Sequence, residues 1–422
     1  MNFDFSHVYH LTRHEWIVLL LPALLFDTTR YYLTNTVYFF LRLIPRFRRK
    51  EDRGKGKEPF YPTVTVLVPV YNEGTHLQKV LDAVLGNEYP DFEVIVVDDA
   101  STDETWKLCR RYQEEGKIRY LRKKIRGSKP SSINYGLLFA RGELVMLMDG
   151  DTLLDKEAIF QMVQPFRDSK VGGVSGNLAI SNAGKNLLTL LQSAEFSMTI
   201  GIQRRWLSLT DMLQIASGAF SVFRKSVLHS LRGVDPEYGE DLDITLKTRK
   251  MGYDVVFAPK ALAYTDMPTT LGGIFRQRLR WDRCYIRINL RKHGNMIRIG
   301  RFRFTESLSI VLDFLFNLLL LFLFPLYVTW VAVFIPQMTW FVLIVTYIFY
   351  TLANVEQLLI SAWLSKYEGP RFRWLLTVPF LFPYFLYLRA IRAFAYLLEI
   401  VRSGRFQSQF FPEAVRKQIP RY

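Results

Sequence analysis

The chain has 422 residues, 50% of them apolar and 15% aromatic, with 55 Lys and Arg against 39 Asp and Glu for a net charge of +16. That apolar share exceeds what a solvated domain of this length carries and argues against an entirely soluble protein. The basic excess lies beside apolar segments, at 42–57, 276–303 and 366–373, where anionic lipid headgroups account for it without a nucleic-acid partner, and Cys109 and Cys284 are too far apart in sequence to suggest a metal motif or a disulfide framework.

The first apolar stretch, Trp16 to Ile44, is interrupted by Asp27 and Arg30. It lacks the short core and small-residue cleavage site of a secretory signal peptide, so residues 1–50 read as a retained membrane anchor formed by one long helix. Arg46-Phe-Arg48-Arg49-Lys50 and the Gly/Lys-rich run to Lys57 follow, and positive charge of this kind holds the next unit on the cytosolic side of a cell membrane.

From 60 to 270 strands alternate with helices. Thr63-Val-Thr-Val-Leu-Val-Pro69 is a short β-rich run ended by Pro69; the turn Tyr71-Asn-Glu-Gly74 and a helical pattern, Leu77, Val80, Leu81, Val84, come next. Phe92-Glu-Val-Ile-Val-Val97 is continuously apolar, as a strand buried on both faces of a parallel sheet must be, and runs into Asp98-Asp99-Ala-Ser-Thr-Asp103. Glu143-Leu-Val-Met-Leu-Met148 runs in the same way into Asp149-Gly-Asp151. Repeated strand-to-acid-to-helix units predict an open α/β sheet that binds ligands at the carboxyl ends of its strands, where these acids sit.

Asp98, Asp99 and Asp103 can accept hydrogen bonds from a nucleoside or merely cap the next helix. Asp149 and Asp151, two apart in extended backbone, would point both carboxylates the same way and share one divalent cation, Mg²⁺ or Mn²⁺ by the preference of hard oxygen ligands. Such an ion bridges to diphosphate oxygens and stabilises a leaving nucleoside diphosphate. Glu240-Asp241, followed by Leu242-Asp243 and a helical run to Lys250, offers either first-turn acids that complement a helix dipole or a general base, Asp241. Asp243 itself is expected to be an ordinary helix-start acid, worth about 1 kcal/mol. Lys129, in Gly127-Ser-Lys-Pro-Ser-Ser-Ile-Asn134, is a diphosphate contact or a surface lysine, and Ser217-Gly218 is a turn unless something docks there.

Residues 271–304 read as amphipathic interface helices. In Gln277-Arg-Leu-Arg280-Trp281 the first, fourth and fifth residues share a face, where arginine can clamp phosphate and the indole can stack on a sugar, although interfacial anchors look alike. The stretches 306–335 and 338–363 each exceed the ~20 residues that cross a bilayer, with Asp313 and Glu356 as the acids well inside them. Trp374 to Ile400 counts as one further span, although Pro379, Pro383, Arg389 and Arg392 suit a helix lying along the interface equally well. The C-terminal membrane region is thus 305–402, and 403–422 is a tail.

The order Pro69-Val-Tyr71-Asn-Glu73, Asp98-Asp99-x-Ser-x-Asp103, Asp149-x-Asp151, Glu240-Asp241 and Gln277-x-x-Arg280-Trp281 resembles the processive membrane glycosyltransferases of family 2, which include cellulose, chitin, hyaluronan and poly-N-acetylglucosamine synthases. The resemblance covers residues 60–290. It implies an α/β GT-A (Rossmann-like) cytosolic domain flanked by transmembrane helices, a UDP-sugar donor, Mg²⁺ or Mn²⁺, and inversion at the anomeric carbon. It implies donor contacts from Tyr71, Glu73, Asp99, Lys129 and Asp149, the metal on Asp151, catalysis by Asp241 beside Glu240, and acceptor and diphosphate binding by Gln277, Arg280 and Trp281. There are departures: Gly239 stands where many relatives have Thr before Glu-Asp, and one N-terminal span is evident where several relatives have two. No regulatory domain follows, so control by a soluble ligand would need a partner subunit. The expectation is an integral membrane enzyme that extends a growing polysaccharide and passes it through an aromatic-lined channel between its own helices, with room for an accessory export subunit. The rivals are a non-processive enzyme that adds one sugar to a ceramide or polyprenyl-phosphate lipid, and a catalytically silent transport or scaffold subunit, against which the retained acids argue.

Overall fold

The computed structural model describes residues 12–25, 28–45, 47, 58–74, 76–297, 303–364, 371–401 and 412. The basic run after Ile44 and the tail 403–422 lie, apart from Pro45, Phe47 and Pro412, outside the described residues. Helices α1 (Arg13–Leu25) and α2 (Thr28–Leu43) come first. Eight strands follow: β1 (Val64–Val70), β2 (Phe92–Asp98), β3 (Arg119–Arg122), β4 (Leu144–Met148), β5 (Leu153–Leu154), β6 (Val171–Ile180), β7 (Phe220–Arg224) and β8 (Asp254–Thr265). They form one mixed sheet in the order β3-β2-β1-β4-β7-β6-β8-β5. Among them run α3 (Leu77–Leu85), α4 (Thr105–Glu114), α5 (Lys129–Leu137), α6 (Leu187–Phe196) and α7 (Glu240–Lys250).

The runs expected to be buried on both faces are so, because β1 sits between β2 and β4, parallel to both. Helix α3 covers them with Leu77, Val80, Leu81 and Val84, the four residues of its apolar stripe. β1 does not stop at Pro69. The Val70 carbonyl accepts from the Asp99 amide of the β2 side, which turns the Pro69 nitrogen toward β4, and pairing with β4 has already ended at Leu67. The missing N–H therefore breaks no ladder bond, and the strand continues to Val70.

After the sheet come α8 (Leu271–Ile286), α9 (Phe304–Phe314), α10 (Leu320–Phe334), α11 (Thr339–Leu364) and α12 (Val378–Val401). Among the described residues three helical stretches are long and apolar enough to cross a membrane: Phe304–Phe334, in which a π-type turn joins α9 to α10, Pro336–Leu364 and Phe372–Val401. The N-terminal segment contributes the described helices α1 and α2, and together they follow α11 from end to end. Leu19 packs beside Val342, and Tyr38 beside Ile360 and Leu364. Between these contacts Tyr32 donates to Asn354, Asn35 to Gln357 and Thr36 to Glu356, each at 2.8 Å.

Among the places at which the sheet unit is fastened to these helices, two involve α8 and α6. α8 lies along the second half of α12, with Asp282 paired to Arg392 at 3.1 Å and Arg283 and Arg291 to Glu399 at 2.9 and 3.0 Å. The second place is α6, which sequence pattern assigned to the soluble unit: Leu190, Leu191 and Ala194, with Met198 just beyond its end, pack against Leu358, Trp374, Val378 and Leu381.

Asp243 is not an ordinary helix-start acid. It is 1% exposed, bonded to His293 at 2.8 Å and paired with Lys292 at 2.9 Å and Lys247 at 3.2 Å, so it ties α7 to the segment after α8. Although burial opposes its charge, His293 and the two lysines hold its carboxyl down at about 2, against 3.8 for an ordinary aspartate. A depression of that size contributes about 2 kcal/mol at neutral pH, present above about pH 4 and lost as pH falls through 2. Asp243→Ala removes the carboxylate partner of the buried His293 and one of those of Lys292 and Lys247, which keep Asp235, and is expected to destabilise by about 2–3 kcal/mol. Thermal unfolding of the purified protein in detergent measures this, and a midpoint equal to wild type would remove the cluster from the fold's supports.

Candidate active site

The carboxyl ends of β1, β2 and β4 bring three loops together, and hydrogen bonds knit the first two. The Asn72 amide donates to Ser101 Oγ at 3.0 Å, Glu73 to Thr105 Oγ1 at 2.9 Å and Gly74 to Asp103 Oδ2 at 3.1 Å. Asp98 is fully buried and accepts from the Ser101 amide and the Tyr120 hydroxyl, both at 2.7 Å, so it serves the loop rather than a ligand. Asp99 is also buried; its Oδ1 accepts from Lys123 at 2.5 Å and from the Gly127 amide at 2.8 Å. Tyr71 lies under the Arg126 guanidinium, 3.8 Å from its ring centroid. Asp103 caps α4 and the β1 loop, as the bland expectation had it.

Asp149-Gly-Asp151 is a turn rather than extended backbone, closed by the Thr152 amide on the Asp149 carbonyl at 3.2 Å. The expectation that strand geometry aligns the two carboxylates therefore fails. They are nonetheless close enough to act on each other: burial and then Asp149 raise the Asp151 carboxyl. Glu73 joins them, pushed up to about 7 by burial and by Asp151, Asp149 and Asp103. Among the described residues no three His, Cys, Asp or Glu side chains enclose a metal by themselves.

Lys129 is not a surface lysine. As the first residue of α5 it reaches Asp149 at 2.5 Å, Glu240 at 3.1 Å and the Gly218 carbonyl at 3.2 Å. Burial opposes its charge, but Asp149 and Glu240 outweigh burial and hold the ammonium well above the ordinary lysine value. Asp241 lies in the same contact set. Its Oδ2 accepts from the Gly218 amide at 3.1 Å and its Oδ1 from the Leu242 amide at 2.8 Å. Burial first, then Glu240, raises its carboxyl above the usual aspartate value, with Lys129 and the two amides opposing. Gly218 is thus more than a turn: its amide and carbonyl clamp Asp241 and Lys129, and a Cβ there would lie 3.0 Å from Lys129 Nζ.

The departure at Gly239 has a structural reason. That residue starts α7 at φ 89°, a left-handed backbone that disfavours side chains, and a Cβ there would lie 3.1 Å from the Cβ of Cys284 in α8. This contact seats the acidic pair against α8. Arg280 shares the neighbourhood: burial raises the Cys284 thiol while Arg280 pulls it down and Asp241 and Glu240 push it up. Gln277 lies one turn earlier, its Nε2 4.0 Å from Met267 Sδ and its Oε1 buried without a protein partner. Trp281 is 38% exposed, with the Arg278 guanidinium over its ring at 4.7 Å.

Sequence patterns gave no sign of Arg204 and Ser175. Arg204 donates to Ser175 Oγ at 2.9 Å, and Ser175 Oγ accepts from the Ser217 amide at 3.3 Å, next to the Asp241 clamp. Burial pulls Arg204 down to about 10 while Asp241 opposes the fall. These contacts join residues 29 and 42 positions apart, and neither residue falls in a recognisable motif.

Residues 62–283 match the family model described as glycosyltransferase-like family 2. Poly-beta-1,6-N-acetyl-D-glucosamine synthase of Staphylococcus epidermidis is 28% identical over 323 residues, covering 76% of this chain and 75% of that protein. The enzyme of that name from Staphylococcus aureus (strain COL) is 28% identical over 279 residues, covering 64% and 66%. Among solved structures, a mannosyltransferase from Pyrobaculum calidifontis in complex with GDP-Man and Mn2+ is similar over 91% of this chain and 99% of its own, with a TM-score of 0.59 at 21% identity. That likeness is one of fold and agrees with the GT-A architecture. The family match covers more than half of the 422 residues, and the chain belongs to the glycosyltransferase-like family 2.

Proposed function

We propose that this glycosyltransferase polymerises a sugar from a UDP-sugar donor, with inversion at the anomeric carbon, and passes the polymer across the membrane between its own helices. The names of its relatives favour N-acetylglucosamine as the sugar. The reading rests on one observation: Asp241, fixed through both carboxylate oxygens by backbone amides, shares the Gly218 clamp with Lys129, whose other partners are Asp149 and Glu240. A base, a cation and strand-end acids thereby face one space. α1 and α2 serve as the anchor, and the sheet unit lies on the cytosolic side.

In this mechanism Asp241 takes the proton from the acceptor hydroxyl as that oxygen attacks the anomeric carbon. Its raised carboxyl brings it nearer the pH at which it works, as suits a general base. Lys129 exchanges a carboxylate for the donor diphosphate. Tyr71 and Asp99 line the nucleoside end. Asp151, with Asp149 and Glu73 beside it, would hold a divalent cation: burial first, and then the neighbouring acids, raises the Glu73 and Asp151 carboxyls, and a bound cation would offset both effects. When bound, Mg²⁺ or Mn²⁺ would neutralise the departing diphosphate. Gln277 Oε1, which has no protein partner, can accept from a sugar hydroxyl, Arg280 supplies charge for the diphosphate, and the open face of Trp281 offers a stacking platform for the acceptor sugar.

Asp241→Asn should lower transfer about 10²- to 10⁴-fold while leaving UDP-sugar binding near wild type. Because the acting form is the carboxylate, wild-type transfer should also fall on the acid side, at a pH above that of an exposed aspartate. Turnover of UDP-sugar by the Asn variant at the wild-type rate would end the assignment. Asp151→Ala should lose metal-dependent affinity for UDP, measured by titration calorimetry with and without Mn²⁺; unchanged metal dependence would place the ion elsewhere. Gel analysis of radiolabelled product tests the synthase reading: a polymer in the wild type, shortened in Trp281→Ala, supports it. A discrete chloroform-soluble glycolipid would make the enzyme a single-transfer one.

A further inference from the structure

Within the run 277–281, Arg278 has no part in the mechanism above, yet it is firmly held. Its two terminal nitrogens donate to the two oxygens of Glu195, both at 2.8 Å, in the fork geometry that fixes a guanidinium in direction as well as distance. Glu195 is 5% exposed, and its Oε2 accepts a further bond from the Tyr384 hydroxyl at 2.7 Å. The other side of the guanidinium carries the Trp281 ring, 4.7 Å from its carbon, with Phe196 near by at 5.9 Å. One carboxylate in α6 thus joins α8 to α12, and the arginine it holds is the surface on which the indole rests.

We infer that Glu195 is a positioning residue: through Arg278 it sets the place of the Trp281 indole, and through Tyr384 it ties that place to the membrane-embedded helix α12. The inference rests on the acceptor role proposed for Trp281. The packing of α6 on α12 does not depend on this node, since Leu190, Leu191 and Ala194 already meet Trp374, Val378 and Leu381, and Trp374 Nε1 donates to Ser193 Oγ at 3.1 Å. What depends on the node is the direction of one guanidinium. Neutralising Glu195 loosens the fork, and removing the Tyr384 hydroxyl frees the carboxylate to turn. In either case the indole lies off the line on which the acceptor hydroxyl meets Asp241, while the donor contacts at the strand ends are untouched. Water then competes with the acceptor for the activated sugar.

The test uses full-length protein in nanodiscs with radiolabelled UDP-sugar, comparing wild type, Glu195→Gln, Tyr384→Phe and Trp281→Ala. The readouts are donor KM, kcat, product length, and the ratio of sugar transferred to sugar hydrolysed. A variant that merely folds poorly lowers the active fraction and so kcat, but leaves product length and that ratio alone. Glu195→Gln is expected to lower the transfer-to-hydrolysis ratio about 10-fold, and Tyr384→Phe by a smaller factor in the same direction, each with shorter product. Donor KM should stay within about twofold. Wild-type ratio and product length in both variants, beside a defect in Trp281→Ala, would overturn the positioning role and leave the acceptor reading standing. A Trp281→Ala enzyme with wild-type ratio and product would overturn the acceptor reading and the inference with it.

Discussion

The ammonium of Lys129 is the point around which the candidate site is built. It lies 2.5 Å from Asp149 at the end of β4, 3.1 Å from Glu240 at the start of α7 and 3.2 Å from the carbonyl that precedes β7. Those elements otherwise bring like charges to one place: two carboxylates 4 Å apart repel by about 4 kcal/mol at an effective dielectric near 20. One cation, itself held by the first turn of α5, makes the convergence tolerable. In the proposed mechanism an incoming diphosphate would meet a lattice of alternating charge already in place and would bind by taking over one partner of the lysine, so little would have to be reorganised.

The same economy governs the join between the sheet and the apolar helices. α8 carries Gln277, Arg280 and Trp281, to which the proposal gives the acceptor, and it is bonded on one side to α12 through Asp282, Arg283 and Arg278's carboxylate partner. On the other side it is pressed against the glycine that opens α7. No long linker separates the acids from the helices that would carry a product away. A reaction at the strand ends and a movement among the apolar helices would therefore share side chains rather than exchange signals over a distance.

The central strands were legible because burial on both faces leaves an unbroken apolar run, and α3 because its stripe has the helical period. The acids at the strand ends were legible for the same reason: their position follows from where those runs stop. The direction of the Asp149 and Asp151 carboxylates was not, because a tight turn replaces the extended backbone that the spacing argument assumed. Asp243 misled because a first-turn acid looks the same whether it faces water or, as here, two lysines and a histidine, two of them some 50 residues away. The apolar stripe of α6 fits a soluble core as well as it fits the flank of α12, and sequence pattern does not say which partner it meets. Pro69 was read as a strand end, although a proline whose nitrogen faces an unpaired edge costs a strand nothing.

The polar seam between α2 and α11 bears on the order in which this protein is made. Asn35 and Gln357 are 322 residues apart in sequence, and Tyr32 with Asn354 the same distance. If α1 and α2 enter the bilayer first, as their proposed role as anchor requires, the Thr36 hydroxyl can donate to the Tyr32 carbonyl of its own helix, whereas the side chains of Tyr32 and Asn35 stand among lipid tails until α11 follows. Hydrocarbon offers those groups no substitute partner, and the late arrival of α11 satisfies them. During synthesis the anchor is therefore an unfinished surface, one that a chaperone or a neighbouring copy can occupy. Completion of the fold is a ligation in space between segments 322 residues apart.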